Sequence, residues 1–428
     1  MVKGGESCSN PLRMVERLTS ALGALILLGV AFALCPRERR RAVSGRSVGG
    51  GLLVLLVVAV LVLKTPLTRL FRLANGAVAA LLGYTREGAR FVFGGLVTES
   101  DTFGFIFAFQ VLPTILFVSA LTSVLYHLRV LPWIIERSGR WLSRTLRVSG
   151  AESFSTVADV FVGQTEAPLI IRPYLARMTL SELTACMVAG FATTAGGVLA
   201  AYVVMLQKQV PGIAGHLIAC SVMSAPASLV IAKLIFPETE LAETSGTEVA
   251  PLPRTSANVL DAISSGTSDG VKLAVNVAAM LIVFLALTAF ADAALGAFGE
   301  LLGAQLSLER VFGWLFAPLA WLLGVPSGDV LKVAGLLGQK TVFNEFVAYS
   351  QLAEQLGRDP QWLTPRGRLI ASYALCGFAN FGSIGIQIGG YASLAPERRA
   401  DLSRVALRAM FGGLLATCLV ACVAGVLL

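Results

Sequence analysis

The chain has 428 residues, of which 55% are hydrophobic and only 14% charged, and its mean hydropathy is +0.75. Ordinary soluble domains carry about 25% charged residues, so this composition excludes a water-soluble globule and indicates an all-α integral membrane protein. The formal net charge of +8 does not indicate nucleic acid, because the arginines border hydrophobic stretches instead of forming a stripe with interleaved aromatics.

A hydrocarbon core about 30 Å thick requires roughly 20 apolar helical residues. Such stretches run over residues 18–35, 47–63, 103–126, 183–206, 211–236, 271–291, 369–395 and 402–428, which gives about eight transmembrane helices. The first follows Lys3, Arg13 and Arg17 and ends at Cys35-Pro36. It is long for the core of a secretory signal and a second span follows at once, so it reads as a retained span. Arg37, Arg39, Arg40, Arg41 and Arg46 place the first loop in the cytoplasm, as do Arg398, Arg399, Arg404 and Arg408 for the segment before the last span. Both termini then lie outside the cytoplasm of a multi-pass protein of the plasma (inner) membrane. Lys64, Arg69, Arg72, Arg86 and Arg90 fall on the outer side in this scheme and oppose it.

Leu67, Leu70, Phe71, Ala74, Val78, Leu81 and Leu82 recur at helical spacing with Arg69 and Arg72 off that face, which predicts a helix lying in the interface. A second such helix covers Leu131, Ile134, Ile135 and Leu142, with Arg137, Arg140 and Arg144 on its polar side. The stretch 237–268 is rich in Glu, Thr, Ser and Pro and reads as a solvated loop joining two halves. Six parts follow: 1–102 with the first spans and interfacial helix, 103–150 with a scaffold span and amphipathic arm, 151–236 with a first hairpin, a broken span and the following span, the loop 237–270, a scaffold span in 271–300, and 301–428 with the second hairpin, a broken span and the last span.

Two apolar segments, 152–180 and 311–349, carry charges and helix breakers. In the first, Gly163-Gln164-Thr165-Glu166-Ala167-Pro168 interrupts the hydrophobic run; Pro168 removes a backbone donor and Gly163 frees the chain to turn. In the second, Gly338-Gln339-Lys340-Thr341-Val342-Phe343-Asn344-Glu345-Phe346 does the same. Both predict re-entrant hairpins. Each precedes a span with a polar, glycine-rich middle, Gly190-Phe191-Ala192-Thr193-Thr194 in one half and Gly377-Phe378-Ala379-Asn380-Phe381 in the other. Matching interrupted segments in two halves are the pattern of a secondary transporter built from inverted repeats, with its site near mid-membrane.

A carboxylate at the bilayer centre costs on the order of 3 kcal/mol or more unless solvated or paired, so Glu166 and Glu345 are expected to line a wet functional cavity. An ion pair of Glu345 with Lys340 is the structural alternative. Gln164, Thr165, Asn380 and Ser383 add amides and hydroxyls suited to a neutral, hydroxylated ligand. Phe378 offers either a wall or packing, and Phe381 reads as packing. Asp159, Thr193 and Thr194, beside the predicted breaks, supply oxygens for a sodium ion or, at Asp159, a proton carrier; the alternative for the threonines is a bond back to their own helix.

Enzyme chemistry finds little support. Gly335 to Thr341 has some likeness to a phosphate loop, but Gln339 stands where glycine is required. There is no Gly-x-Ser-x-Gly turn. His127 and His216 are the only histidines, and the seven cysteines include no Cys-x-x-Cys; the cysteines read as small core residues, and neither a transition metal nor an organic cofactor is expected. A channel, a receptor or an intramembrane enzyme are the alternative readings.

The chain resembles the concentrative nucleoside transporter family. The resemblance rests on Phe107-Ala108-Phe109-Gln110-Val111-Leu112-Pro113-Thr114, Val162-Gly163-Gln164-Thr165-Glu166-Ala167-Pro168-Leu169, the segment from Gly338 through Asn344-Glu345-Phe346-Val347-Ala348 to Tyr349, and Gly377-Phe378-Ala379-Asn380-Phe381. It implies a homotrimer with eight spans and two opposed hairpins per protomer, whose substrate domain moves as an elevator against a trimeric scaffold. It further implies that Gln164, Thr165 and Glu166 read the nucleobase, that Glu345, Asn380 and Ser383 hold the ribose hydroxyls, and that Val198 and Phe378 add apolar contacts. The sodium site it implies consists of Asp159, Val162, Thr193 and Thr194. The family usually has Asn at the position of Asp159 and Ser at that of Thr193. An ionised Asp159 would strengthen sodium binding and a protonated one would carry H+ instead; sodium is the first choice and H+ the second.

Overall fold

The computed structural model describes residues 11–64, 68–98, 106–245, 252, 256–301, 303 and 305–428. Among them there is no strand, in keeping with the all-α expectation. In chain order the long helices are α1 (Pro11–Ala33), α2 (Gly45–Lys64), α3 (Thr68–Phe93), α4 (Leu112–His127), α5 (Val130–Leu146), α6 (Gly150–Asp159), α7 (Leu180–Ala192), α8 (Gly196–Leu206) and α9 (Ile213–Ile235). After the inter-half segment come α10 (Val259–Leu301), α11 (Leu308–Leu322), α12 (Val330–Val342), α13 (Glu345–Arg358), α14 (Pro365–Leu375), α15 (Phe381–Leu394) and α16 (Arg399–Leu427).

Among the described residues, seven stretches are long and apolar enough to span: 13–33, 45–64, 107–127, 180–206, 213–235, 259–301 and 396–427. The eighth expected span, 369–395, is divided between α14 and α15. Burial separates the spans into two groups. The most apolar windows of 180–206, 213–235 and 396–427 are 83%, 89% and 83% buried, whereas those of 13–33, 45–64, 107–127 and 259–301 are only 17–22% buried. The first group, α7, α8, α9 and α16, forms the centre, and its side chains are predominantly apolar on every face, as helices buried in a core are. The second group flanks it, with α4 packed along α10.

Helix α3 bears out the first interfacial helix as a helix; Leu67 and the side chains at 70, 71, 74 and 78 that carry its pattern lie outside the described residues. In α5 the expected apolar face is the buried one, with Leu131, Ile135 and Leu142 inside. One boundary differs. α10 begins at Val259, within the stretch read as loop, capped by Asn258, whose Oδ1 accepts from Asp261 N at 2.9 Å. Its first turns, Ser264-Ser265-Gly266-Thr267-Ser268-Asp269-Gly270, are polar enough to resemble a loop, yet Gly266 and Gly270 lie directly against Ser119, Ala120 and Leu116 of α4. Residues 246–251 and 253–255 of the loop, and Cys8, lie outside the described residues. The other six cysteines are free and buried, as small core residues would be.

Each half contains a helical hairpin followed by a broken helix. The first hairpin leaves on α6, turns through Val160–Glu166 and returns through the short helices Ala167–Ile170 and Arg172–Leu175. Its base is fixed by two capping boxes, Ser149 with Glu152 and Thr179 with Glu182, which satisfy the orphan N–H groups of α6 and α7. A buried ion pair, Lys233 Nζ to Glu152 at 2.7 Å, ties that base to α9, and the same ammonium donates to Ser181 Oγ at 2.9 Å. The second hairpin is α12 and α13, joined at Phe343 and Asn344. At its far end Asp329 accepts from Thr364 N and Oγ1 at 2.9 and 2.6 Å.

Candidate functional site

The hairpin tips meet the breaks. At the first tip Gly163 has φ +94°, and a Cβ there would stand 2.7 Å from that of Ala195; only glycine combines that backbone with that closeness. Phe161 O accepts from Gly196 N at 3.2 Å, so the tip lies on the break between α7 and α8. The two breaks also touch. Gly377, φ +92°, would carry a Cβ 2.6 Å from Ala192 O, and its N–H donates to Thr194 Oγ1 at 2.9 Å.

Helix starts set the polar side chains. Asn344 caps α13, its Oδ1 accepting from Val347 N at 2.9 Å, and Asn380 caps α15, its Oδ1 accepting from Ser383 N at 2.8 Å. Because the cap fixes the Asn380 oxygen, the amide nitrogen points the other way and donates to Glu345 Oε2 at 3.0 Å. Glu345 is the first residue of α13, where the helix dipole favours negative charge. Its Oε1 accepts from Tyr202 OH at 3.1 Å, and Tyr202 stacks on Tyr349 at 4.2 Å between centroids. The carboxylate is thus held from α8 and α15 while 3% exposed. Gln164 closes the group from the first hairpin, with Nε2 3.5 Å from Ser383 Oγ.

Of the expected substrate residues, Gln164, Val198, Glu345, Asn380 and Ser383 are buried, and hydrogen bonds join Glu345 to Asn380, Asn380 to the Ser383 backbone, and Ser383 to Gln164. Phe378 is half-buried against the core. Thr165 and Glu166 are exposed, Thr165 Oγ1 donating to Glu166 Oε2 at 2.7 Å. Glu166 is therefore not enclosed like Glu345: the tip turn leaves its side chain on the open side, whereas Glu345 is drawn inside by two donors. Phe381, expected to pack, is 48% exposed, because it is the first residue of a helix whose inner face carries Ser383 and Gln387.

Asp159 is 1% exposed and neither carboxylate oxygen has a hydrogen-bond partner. Buried anions without partners are costly, so this end of α6 suits a cation or a proton. Val162 follows within the tip turn. Thr193 Oγ1 bonds back to Ala189 O at 2.9 Å, the alternative weighed for it, but Thr194 Oγ1 reaches the other half, 3.4 Å from Cys376 Sγ. Lys340 does not take up the expected alternative of pairing with Glu345. It is fully buried and donates to Ala374 O, Cys376 O and Thr417 Oγ1 at 2.8, 2.9 and 3.2 Å. Sequence reasoning missed Tyr202 and Gln387; both lie in apolar helices, and their polar ends become informative only when two halves are brought together.

A cleft of about 710 Å³ opens between α3 and α4 on one side and the ends of α8 and α13 on the other, with Gln110, Lys208 and Glu354 in its wall.

Comparison with known proteins agrees with this geometry. Family models match in three places: "Na+ dependent nucleoside transporter N-terminus" over residues 22–96, "Nucleoside recognition" over 108–209 and "Na+ dependent nucleoside transporter C-terminus" over 216–425. An uncharacterized transporter of Haemophilus influenzae is 43% identical across 95% of this chain and 97% of its own length. Sodium/nucleoside cotransporter 1 of Rattus norvegicus is 42% identical across 96% of this chain, which spans 64% of that longer relative. Among solved structures, CNTnw in an inward-facing substrate-bound state superposes with a TM-score of 0.89 at 41% identity, covering 96% of this chain and 97% of that one. A CNTnw variant in an outward-facing state gives 0.91 at 40% identity, covering 97% and 98%. The chain belongs to the concentrative, Na+-dependent nucleoside transporter family, a family of membrane transporters.

Proposed function

We propose that this protein imports nucleosides by symport with Na+, through alternating access, with substrate held between the two hairpins and the two breaks. The observation that carries the reading is the buried carboxylate of Glu345, steadied by Tyr202 and Asn380 beside Ser383 and Gln164 of the opposite hairpin. A carboxylate accepts from two adjacent hydroxyls, which suits a ribose diol. In this reading Glu345, Asn380 and Ser383 hold the ribose, Gln164, Thr165 and Glu166 read the base, and Val198 and Phe378 line the apolar side. Na+ is taken by Asp159, Thr193, Thr194 and the Val162 carbonyl. The orphaned oxygens of Asp159 support a cation there, and they equally support H+ as the second choice.

The energetics suffice without ATP. One charge entering through about 100 mV gains roughly 2.3 kcal/mol, and a tenfold ion gradient adds about 1.4 kcal/mol, together enough for a few-hundredfold accumulation. The assembly in this reading is a homotrimer in the plasma (inner) membrane, with both termini outside the cytoplasm and with lipid, not nucleic acid, as its surroundings.

The test is radiolabelled uridine uptake into proteoliposomes under an inward Na+ gradient, with proton-gradient and no-gradient controls. Na+-driven accumulation is expected for the unaltered protein, and none for Glu345→Gln although that variant reaches the membrane. Equilibration without accumulation means a channel, binding without passage a receptor, and altered substrate an enzyme.

A further inference from the structure

Gln387 on α15 joins the two halves behind the first hairpin tip. Fully buried, its Nε2 donates to Gln164 Oε1 at 3.0 Å and to Met187 O on α7 at 3.2 Å. The three elements are in close contact: a Cβ on Gly190 would lie 2.7 Å from Gln387 Nε2 and 3.0 Å from Gln164 Cβ. A glutamine amide can ordinarily be turned over, exchanging its donor and acceptor ends. Here the chemistry forbids it. A backbone carbonyl has lone pairs only, so Gln387 must face Met187 with its NH2. That same NH2 faces Gln164, which must therefore answer with its oxygen. Turning Gln387 over would set its oxygen against the Met187 carbonyl, even though its Oε1 has no partner as it stands. The relay leaves the Gln164 NH2 on the far side, toward Ser383 Oγ and the interior of the site.

We propose that Gln387 is a positioning residue that locks Gln164 as a hydrogen-bond donor toward the exocyclic group of the nucleobase, so that the tip prefers a carbonyl oxygen there (O4 of a pyrimidine, O6 of a purine) over an amino group. Uridine is then preferred to cytidine and inosine to adenosine. Sequence alone left this open, because a free amide offers either end. The inference rests on the nucleoside reading above, but its test does not require transport.

Equilibrium binding of the four nucleosides to the purified full-length protein, by isothermal titration, is the measurement. The unaltered protein is expected to bind each carbonyl member about tenfold more tightly than its amino partner, the discrimination a mismatched donor typically gives. Gln387→Met frees the Gln164 amide and brings both ratios toward one while nucleosides still bind. Gln164→Glu keeps the shape and the acceptor for Gln387 but turns an acceptor into the site, and reverses both preferences. Since a ratio of two ligands on one variant does not depend on the folded fraction, a merely structural role would leave it unmoved. Amino members bound as well as carbonyl members by the unaltered protein, or ratios unchanged in both variants, overturn the inference while leaving nucleoside uptake intact. Failure of any nucleoside to bind overturns both. Binding without accumulation in the proteoliposome experiment overturns the transport reading alone.

Discussion

The two helix breaks have the same form and opposite electrostatics. At the second, between α14 and α15, the Lys340 ammonium is built in and donates to the carbonyls of Ala374 and Cys376 and to Thr417. At the first, between α7 and α8, the nearby charge is a carboxylate: Asp159 ends α6 with both oxygens unpartnered, two residues before Phe161, which bonds the break. Unwound backbone at membrane depth needs its polar groups met by protein, water or ions. One break therefore has a lysine built into it, and the other lies beside a carboxylate without partners, where the proposed exchangeable cation would bind.

The largest expected effect comes from removing the built-in charge. Lys340→Met deletes three hydrogen bonds from a charged donor, each worth about 1.5–3 kcal/mol, and leaves carbonyls bare; uptake is expected to fall below about a tenth and the melting temperature by several degrees, read by transport and by thermal unfolding in detergent. Unchanged uptake would end the comparison. Asp159→Asn acts on the other break. The sodium concentration for half-maximal uptake is expected to rise about tenfold, equivalent to about 1.4 kcal/mol. Protonation removes the Asp159 charge, so in the unaltered protein that concentration rises as pH falls, and in the variant it does not change with pH. Proton-driven uptake without sodium, lost in the variant, would reassign the coupling ion.

Tyr202→Phe removes one of the two donors to Glu345 and is expected to weaken nucleoside binding about tenfold, as for a hydrogen bond to a charged group, with sodium dependence unchanged. The smallest effects separate neighbouring hydroxyls. Thr194→Ala loses the contact across the breaks and should raise the sodium requirement a few-fold, whereas Thr193→Ala, which loses only a bond within α7, should change it by less than about twofold.

Much of this was legible in the residues. Runs free of charge over the length of a bilayer identify spans whatever their neighbours, because the cost of an unpaired charge in hydrocarbon is local. Gly163 and Gly377 marked the turn and the break by their chemistry, and the buried carboxylate at 345 announced itself in the same way. The start of α10 was not legible, since the polar turns around Gly266 are helical only by virtue of α4 beside them. Nor was the exposure of Glu166, which has the same apolar sequence surroundings as Glu345.

The sequence by itself determined the membrane class, the spans, the paired interruptions and the polar residues within them, because hydropathy, helix breaking and the family's motifs are written in consecutive residues. Only the tertiary structure decided the partners. Lys340 turns to carbonyls 34 and 36 residues away instead of to Glu345, Tyr202 reaches Glu345 across 143 residues, and Gln387 fixes Gln164 across 223. A hydrogen bond is set by direction and by distances of about 3 Å, and nothing in the order of residues along a chain specifies which two segments will meet at that range.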